Sequence, residues 1–221
     1  MTGVWLGIET TSAEGGVALV EDGGTLAEIM LSVRATHSEK VLPAVAGIFR
    51  ATGVDPRDLA GIGVSLGPGS YTGLRIGIAT ASGLSAGLGV SVKGVDTLRV
   101  VASATGPSKP VLSCIRARKG EVFAAVYASG GALAEELVRP GVYAVRALLR
   151  ILDEGLTGVL AAGSGRSELP DAPVRWLAPE HDGPRPSVVA RLASEAASAE
   201  GYDPVLVPRY LREWNQEARK V

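Results

Sequence analysis

Apolar and polar positions along the chain change period several times, and each change marks an element. Residues 4–10, VWLGIET, form a short continuous apolar run, the pattern of a strand buried on both faces. Residues 16–20 read as a second strand after a turn at Glu14-Gly15. Residues 26–33 read as a third, across the hairpin signal Glu21-Asp22-Gly23-Gly24. The spacing then becomes helical at Val41, Leu42, Val45, Ile48 and Phe49, predicting a helix that ends at Gly53. Thr36-His37-Ser38-Glu39 ahead of it has capping-box spacing, and Pro43 should kink the helix or reset its start. After a short helical turn at Asp55-Pro56, residues 61–66 form a strand.

The chain is organised around residues 64–88, VSLGPGSYTGLRIGIATASGLSAGL. This stretch reads as strand, glycine loop and helix. Gly67-Pro68-Gly69-Ser70 breaks both periods, and Ser70 or Thr72 can cap the helix that follows. Free N–H groups at such a helix start suit a phosphate or another anion. Leu74, Ile78, Ala81, Ser85 and Leu88 make one apolar face, expected to lie on a sheet. The opposite side carries Gly73, Ile76, Gly77, Thr80, Gly83, Leu84 and Gly87 rather than charges. Each helical glycine costs up to about 1 kcal/mol relative to alanine, so close approach to a second helix, in this chain or a partner, is the compensating reason.

Residues 90–95 are the next strand and 97–104 a helix, giving strand-strand-strand-helix-strand-helix-strand-helix, an α/β unit with a mixed sheet. Gly106-Pro107-Ser108-Lys109-Pro110 is a boundary. Beyond it the order recurs loosely. Strands are expected at 111–115, 121–128 and 133–138, a helix at 143–152, and a strand at 158–162. A small glycine loop, Gly163-Ser164-Gly165, and a short strand at 174–177 follow. Then come a helix at 186–199 and an irregular tail with Arg209, Tyr210 and Arg212. Arg116, Arg118 and Lys119 form a basic turn that suits an anion, an acidic partner or plain solvent.

Composition narrows the field. With 221 residues, 46% of them hydrophobic, the chain buries a substantial core. A net charge of −1 gives no reason to expect sequence-independent nucleic-acid binding. A single cysteine, Cys114, rules out an internal disulfide and a cysteine metal cluster. The N-terminus lacks signal-peptide features, and the glycine helix is marginal as a membrane span, so the cytoplasm is the expected location. The glycine loop is not a P-loop, because no Gly-Lys-Ser/Thr follows. Its Gly67, Gly69 and Gly73 do not fit the dinucleotide spacing either. His37 and His181 are the only histidines. Neither sits in a nucleophile or metal pattern, so no metal site and no catalytic residue are expected.

Several stretches together resemble one family. They are LGIETTSAEGGVAL at 6–19, HSEKVLPAV at 37–45, GVSLGPGSYTGLRIGIATASGLSAGL at 63–88, GVDTLRVVA at 94–102, IRARKGEVFAAVY at 115–127 and PRYLRE at 208–213. On these the chain resembles the TsaB (YeaZ) family. The resemblance implies an α/β actin-like/Hsp70-like/sugar-kinase-like ATPase fold with two duplicated lobes, each with a mixed sheet and flanking helices. The lobes are expected at 1–105 and 106–221. It implies a role in forming N6-threonylcarbamoyladenosine at tRNA position 37, as the non-catalytic partner of the catalytic subunit TsaD. The ATPase TsaE joins that complex, the chain forms a homodimer when alone, and tRNA is met through the complex.

No cofactor of its own is implied, with ATP or ADP as candidate ligands of the complex. Glu9, Thr10, Thr11, Ser12, Gly67, Gly69, Ser70 and Thr72 are the candidate remains of a nucleotide site. A polar hairpin turn is the plainer reading of residues 9–12. His37, Val41, Leu42, Val45, Gly73, Ile76, Gly77, Thr80, Gly83, Leu84 and Gly87 are the candidate partner interface, where a bulky residue at Gly77 or Gly83 should abolish pairing and leave the fold intact. Glu9 stands where ATPase relatives usually have Asp, which argues against independent ATP hydrolysis, and Arg116 stands where many TsaB chains have Asp, which argues against an anion site at the 116–121 turn. Two other readings remain: an autonomous small ATPase, kinase or M22-type peptidase, and a dimeric nucleotide-binding module outside tRNA modification.

Overall fold

The structure, a computed structural model, describes residues 3–32, 38–103 and 109–211. The first lobe contains β1 (Val4–Glu9), β2 (Glu14–Glu21), β3 (Gly24–Ser32), α1 (Val41–Thr52), β4 (Leu59–Ser65), α2 (Tyr71–Leu88) and β5 (Val92–Val95). α3 (Thr97–Ser103) leads to β6 (Val111–Arg118), β7 (Glu121–Tyr127), β8 (Glu136–Ala144), α4 (Val145–Gly155), β9 (Leu160–Ala162) and β10 (Arg175–Trp176). α5 (Pro186–Glu200) follows.

The two sheets repeat one plan. The first runs β3-β2-β1-β4-β5 and the second β8-β7-β6-β9-β10. In each, the hairpin strands pair antiparallel and the two strands on the other side pair parallel. The loose repetition in the sequence is therefore a duplication of topology.

Strand alternation decides which helix covers which face. Val4, Leu6 and Ile8 of β1, with Val17, Leu19, Ile62 and Val64, meet α1 through Val41, Val45, Ile48 and Phe49, and α2 through Ala81. Trp5, Val20 and Val95 face the other way and pack with Val189, Ala190, Leu192 and Ala193 of α5. That helix lies so close that a Cβ on Gly7 would sit 2.0 Å from the Pro186 carbonyl oxygen, and one on Gly63 would sit 2.6 Å from the Ala193 Cβ. The glycines of β1 and β4 are thus the groove for α5. In return, α3 packs on the second sheet, with Leu98 and Ala102 against Val111, Ala125 and Tyr127. Each lobe lends a helix to the other, so a division at 105/106 does not separate two packing units. α4 covers the remaining face of the second sheet through Leu148 and Leu152.

Three local expectations change. Glu14 and Gly15 lie inside β2, because they pair with Ser32 and Leu31; the turn is at residues 11–13. β8 runs later than expected and α4 starts at Val145, because Tyr143 and Ala144 are held extended opposite Val122 and Glu121. The start of the first helix moves. Thr36 and His37 lie outside the described residues, and α1 begins at Val41 with no side-chain cap. Pro43 is thereby in the first turn, where its missing N–H costs no hydrogen bond, so it resets the helix start and makes no kink.

α5 is held at its first turn by β3. The Glu28 carboxylate accepts from the Ser187 N–H (3.0 Å) and hydroxyl (2.7 Å), and pairs with Arg185. Burial alone would raise the Glu28 carboxyl, but Arg185 and Ser187 outweigh it and hold it below its ordinary value of 4.5. A depressed carboxyl contributes stability above the unfolded value and loses it as pH falls through the folded one. Glu28→Gln should therefore cost about 1–2 kcal/mol at neutral pH. The gap to wild type should close in urea melts as the pH drops below about 4.

Candidate functional site

β1, β4 and β5 are parallel, so Glu9, Ser65 and Val95 end on one edge of the first sheet. In open α/β sheets the carboxyl ends of parallel strands are where ligands bind. Both candidate loops lie here, and the structure joins them directly. Glu9, fully buried, accepts from the Thr11 N–H and hydroxyl, both at 2.5 Å, and from the Ser65 hydroxyl. The Thr10 hydroxyl donates to the Gly73 carbonyl at 2.7 Å. The Ser70 N–H donates to the Thr11 carbonyl at 2.7 Å. Ser70 caps α2 by accepting from the Gly73 N–H at 3.2 Å, while Thr72 is exposed and does not cap. The Ser12 hydroxyl donates to the Glu14 carbonyl.

Several of the candidate phosphate donors turn inward. The Thr10, Thr11 and Ser12 hydroxyls and the Thr11 and Ser70 N–H groups are given to Glu9 and to main-chain carbonyls. The two loops also pack closely. A Cβ on Gly69 would sit 2.5 Å from the Thr11 carbonyl oxygen, and one on Gly73 would sit 1.9 Å from the Thr10 carbonyl oxygen. The glycines serve the contact of α2 with the turn after β1.

The chain's tail closes the same edge, which the sequence did not signal. The Arg209 N–H donates to the Leu66 carbonyl at 2.6 Å, and its guanidinium meets Asp96 at 2.7 Å. Asp96 also caps α3 through the N–H groups of Leu98 and Arg99. Burial pushes the Asp96 carboxyl up, against the pull of Arg209 and these N–H groups. Tyr210 stacks on Tyr71 with ring centres 5.4 Å apart, and Arg75 lies over Tyr71 at 4.5 Å. Leu206 enters the core of the first lobe, while Leu211 packs on the cluster between α3 and the second sheet. The strap thus spans both lobes.

The candidate interface residues divide by burial. Val41 and Val45 point into the core of the first lobe, and Gly73 and Gly77 lie against Thr10. None of the four is on an open face, because the helical spacing that marks an apolar side does not say which sheet already covers it. Ile76, Thr80 and Leu84 are half-buried. Gly83 and Gly87 are open, with nothing within 4 Å of a Cβ on either, and Leu42 is 54% exposed. His37 lies outside the described residues. The exposed side of α2 is Arg75, Ala79, Ser82, Gly83, Ala86 and Gly87, with one charge.

In the second lobe the basic turn leans on the second glycine loop. Arg116 pairs with Glu168 at 3.2 Å, and its N–H donates to the Ser164 hydroxyl. Cys114 beneath them is buried, and its thiol is pushed up to about 12 by burial, Asp182 and Glu168, so it is protonated at neutral pH. Among the described residues no group of three or more His, Cys, Asp or Glu is placed to hold a metal ion, and no helix is long and apolar enough to cross a membrane.

Two lobes with the same strand order, each covered by a helix from the other, and a cleft edge built on a β1–β2 turn define a member of the actin-like, Hsp70-like and sugar-kinase-like ATPase fold. Comparison with known proteins refines this. The family model described as TsaD, tRNA N6-adenosine threonylcarbamoyltransferase, matches residues 23–179. The chain is 31% identical to the tRNA threonylcarbamoyladenosine biosynthesis protein TsaB of Bacillus subtilis, over 97% of this chain and 96% of that one. It is 38% identical to the Escherichia coli protein of the same name over 55% of this chain and 54% of the other. The structure of YeaZ from Pseudomonas aeruginosa superposes with a TM-score of 0.81 at 24% identity, covering 96% of this chain and all of that one. The chain belongs to the TsaB (YeaZ) family.

Proposed function

We propose that the chain is the non-catalytic scaffold and activator subunit of a cytoplasmic complex that forms N6-threonylcarbamoyladenosine on tRNA, with a TsaD-like protein as its catalytic partner. The observation that carries this reading is the internal closure of the phosphate loop. A chain whose Thr10, Thr11 and Ser70 donors serve its own backbone and Glu9 is built as a rigid support. The names of its relatives supply the pathway. The nearly uncharged, small-residue side of α2 supplies a surface on which a helix can approach closely. On this reading the chain pairs with itself when alone and exchanges that contact for the TsaD-like subunit. A TsaE-like ATPase joins afterwards, and ATP or ADP binds in the complex.

Light scattering after size exclusion tests this, with the chain alone and mixed with the TsaD-like protein of the same organism. A mixed peak is expected, together with no steady ATP turnover by the chain alone. A homodimer that ignores the TsaD-like protein with and without ATP would overturn the reading in favour of a nucleotide-binding module outside tRNA modification. ATP turnover lost in Glu9→Ala would overturn it in favour of an enzyme.

A further inference from the structure

The tip of the basic turn between β6 and β7 lies outside the proposed pairing surface. Arg118 and Lys119 stand at its tip, both exposed, and neither forms an ion pair among the described residues. The tip is stiff. It is fastened on one side by the Arg116–Glu168 pair and by the Gly120 N–H, which donates to Glu168 at 3.3 Å. On the other side the Gly120 carbonyl accepts from the Val145 N–H at 3.0 Å, so α4 starts directly beside the turn. The outer face of α4 then adds Arg146 and Arg150, one turn apart, exposed and also without ion pairs among the described residues, while Leu148 and Leu152 hold the helix down from its other side. Four guanidinium and ammonium groups without an ion pair among the described residues therefore stand on one end of the second lobe, in a chain whose net charge is −1. That segregation is what a polyanion reads, since affinity for a phosphate backbone comes from local cations rather than total charge.

We propose that this end of the second lobe, with Arg118 and Lys119 on the turn and Arg146 and Arg150 on α4, is a direct contact for the phosphate backbone of tRNA. The inference rests on the proposed role in tRNA modification and adds to it a surface on this chain that touches the substrate. The contact is not base-specific. A hairpin tip beside a helix presents point charges, so it positions the RNA and leaves sequence reading to other surfaces.

The test uses the purified complex with the TsaD-like subunit and measures tRNA binding by fluorescence anisotropy across a potassium chloride series. Arg118→Ala/Lys119→Ala is expected to weaken binding several-fold. It should also flatten the plot of log affinity against log salt by about 1.5, as removal of two phosphate contacts requires. Arg146→Ala/Arg150→Ala should behave alike, and Arg118→Lys should keep near wild-type binding. Every variant should form the mixed complex normally, because all four side chains are exposed.

Wild-type affinity and slope in both double variants, with the complex intact, would overturn this inference and leave the pairing role standing. A wild-type chain that forms no mixed complex would overturn the proposed function and this inference with it. A fluorescent ATP analogue that binds the chain alone and is lost in Arg118→Ala/Lys119→Ala would assign the turn to a free nucleotide and overturn the RNA contact.

Discussion

Gly73→Ala is expected to destabilise the protein by about 3 kcal/mol or more. The added methyl carbon would lie 1.9 Å from the Thr10 carbonyl oxygen and 3.1 Å from its carbon. The obstacle is main chain at the end of a central strand, not the tip of a flexible side chain, so relief requires α2 to lift off β1. Lifting breaks the Thr10 hydroxyl bond to the Gly73 carbonyl and the Ser70 N–H bond to Thr11. It also exposes Glu9, whose partners Thr11 and Ser65 lie in the same layer. Alanine is otherwise the better helix former by about 1 kcal/mol, so the propensity scale predicts the opposite sign. At about 2–4 °C per kcal/mol for a chain of this size, Tm should fall by roughly 6–12 °C, read by circular dichroism. An unchanged or raised Tm would show that α2 does not rest on the turn after β1.

Gly83→Leu, alone or with Gly87→Leu, should do the reverse: lose the partner and keep the fold. Nothing lies within 4 Å of a Cβ at either position, and both are exposed. Replacing glycine in mid-helix raises helix propensity by up to about 1 kcal/mol, so Tm should hold or rise slightly. If α2 packs closely on a partner helix, a leucine in the contact separates the two axes. A loss of about 3 kcal/mol then weakens pairing roughly 100-fold. Titration of the TsaD-like protein by size exclusion with light scattering reads the effect. Wild-type pairing in the double variant would remove α2 from the interface. Gly77→Leu is not an equivalent test. A Cβ there would sit 2.4 Å from the Thr10 hydroxyl, so its loss of pairing would be inseparable from damage to the lobe.

What the sequence determined by itself is the local and periodic part. The apolar runs of β1 and β4, the break at Gly67-Pro68-Gly69, the helix after Ser70 and the loose recurrence of the same order beyond residue 110 were all legible. Strand alternation, helix period and glycine punctuation are properties of neighbouring residues. The density of glycines in α2 correctly announced close approach of backbones, but not what approaches. Gly73 and Gly77 meet Thr10 of the same chain, and only Gly83 and Gly87 remain open.

Tertiary structure alone decided the rest. It sent α5 across to Gly7 and Gly63 of the first sheet and α3 to the second. It set Asp96 against Arg209 over 113 residues of separation, and it turned Thr10, Thr11 and Ser70 from phosphate donors into a latch around Glu9. The physical reason is common to all three. A hydroxyl or a guanidinium carries the same donors wherever it stands, and which acceptor it meets depends on strands and helices far apart in the chain being brought within 3 Å.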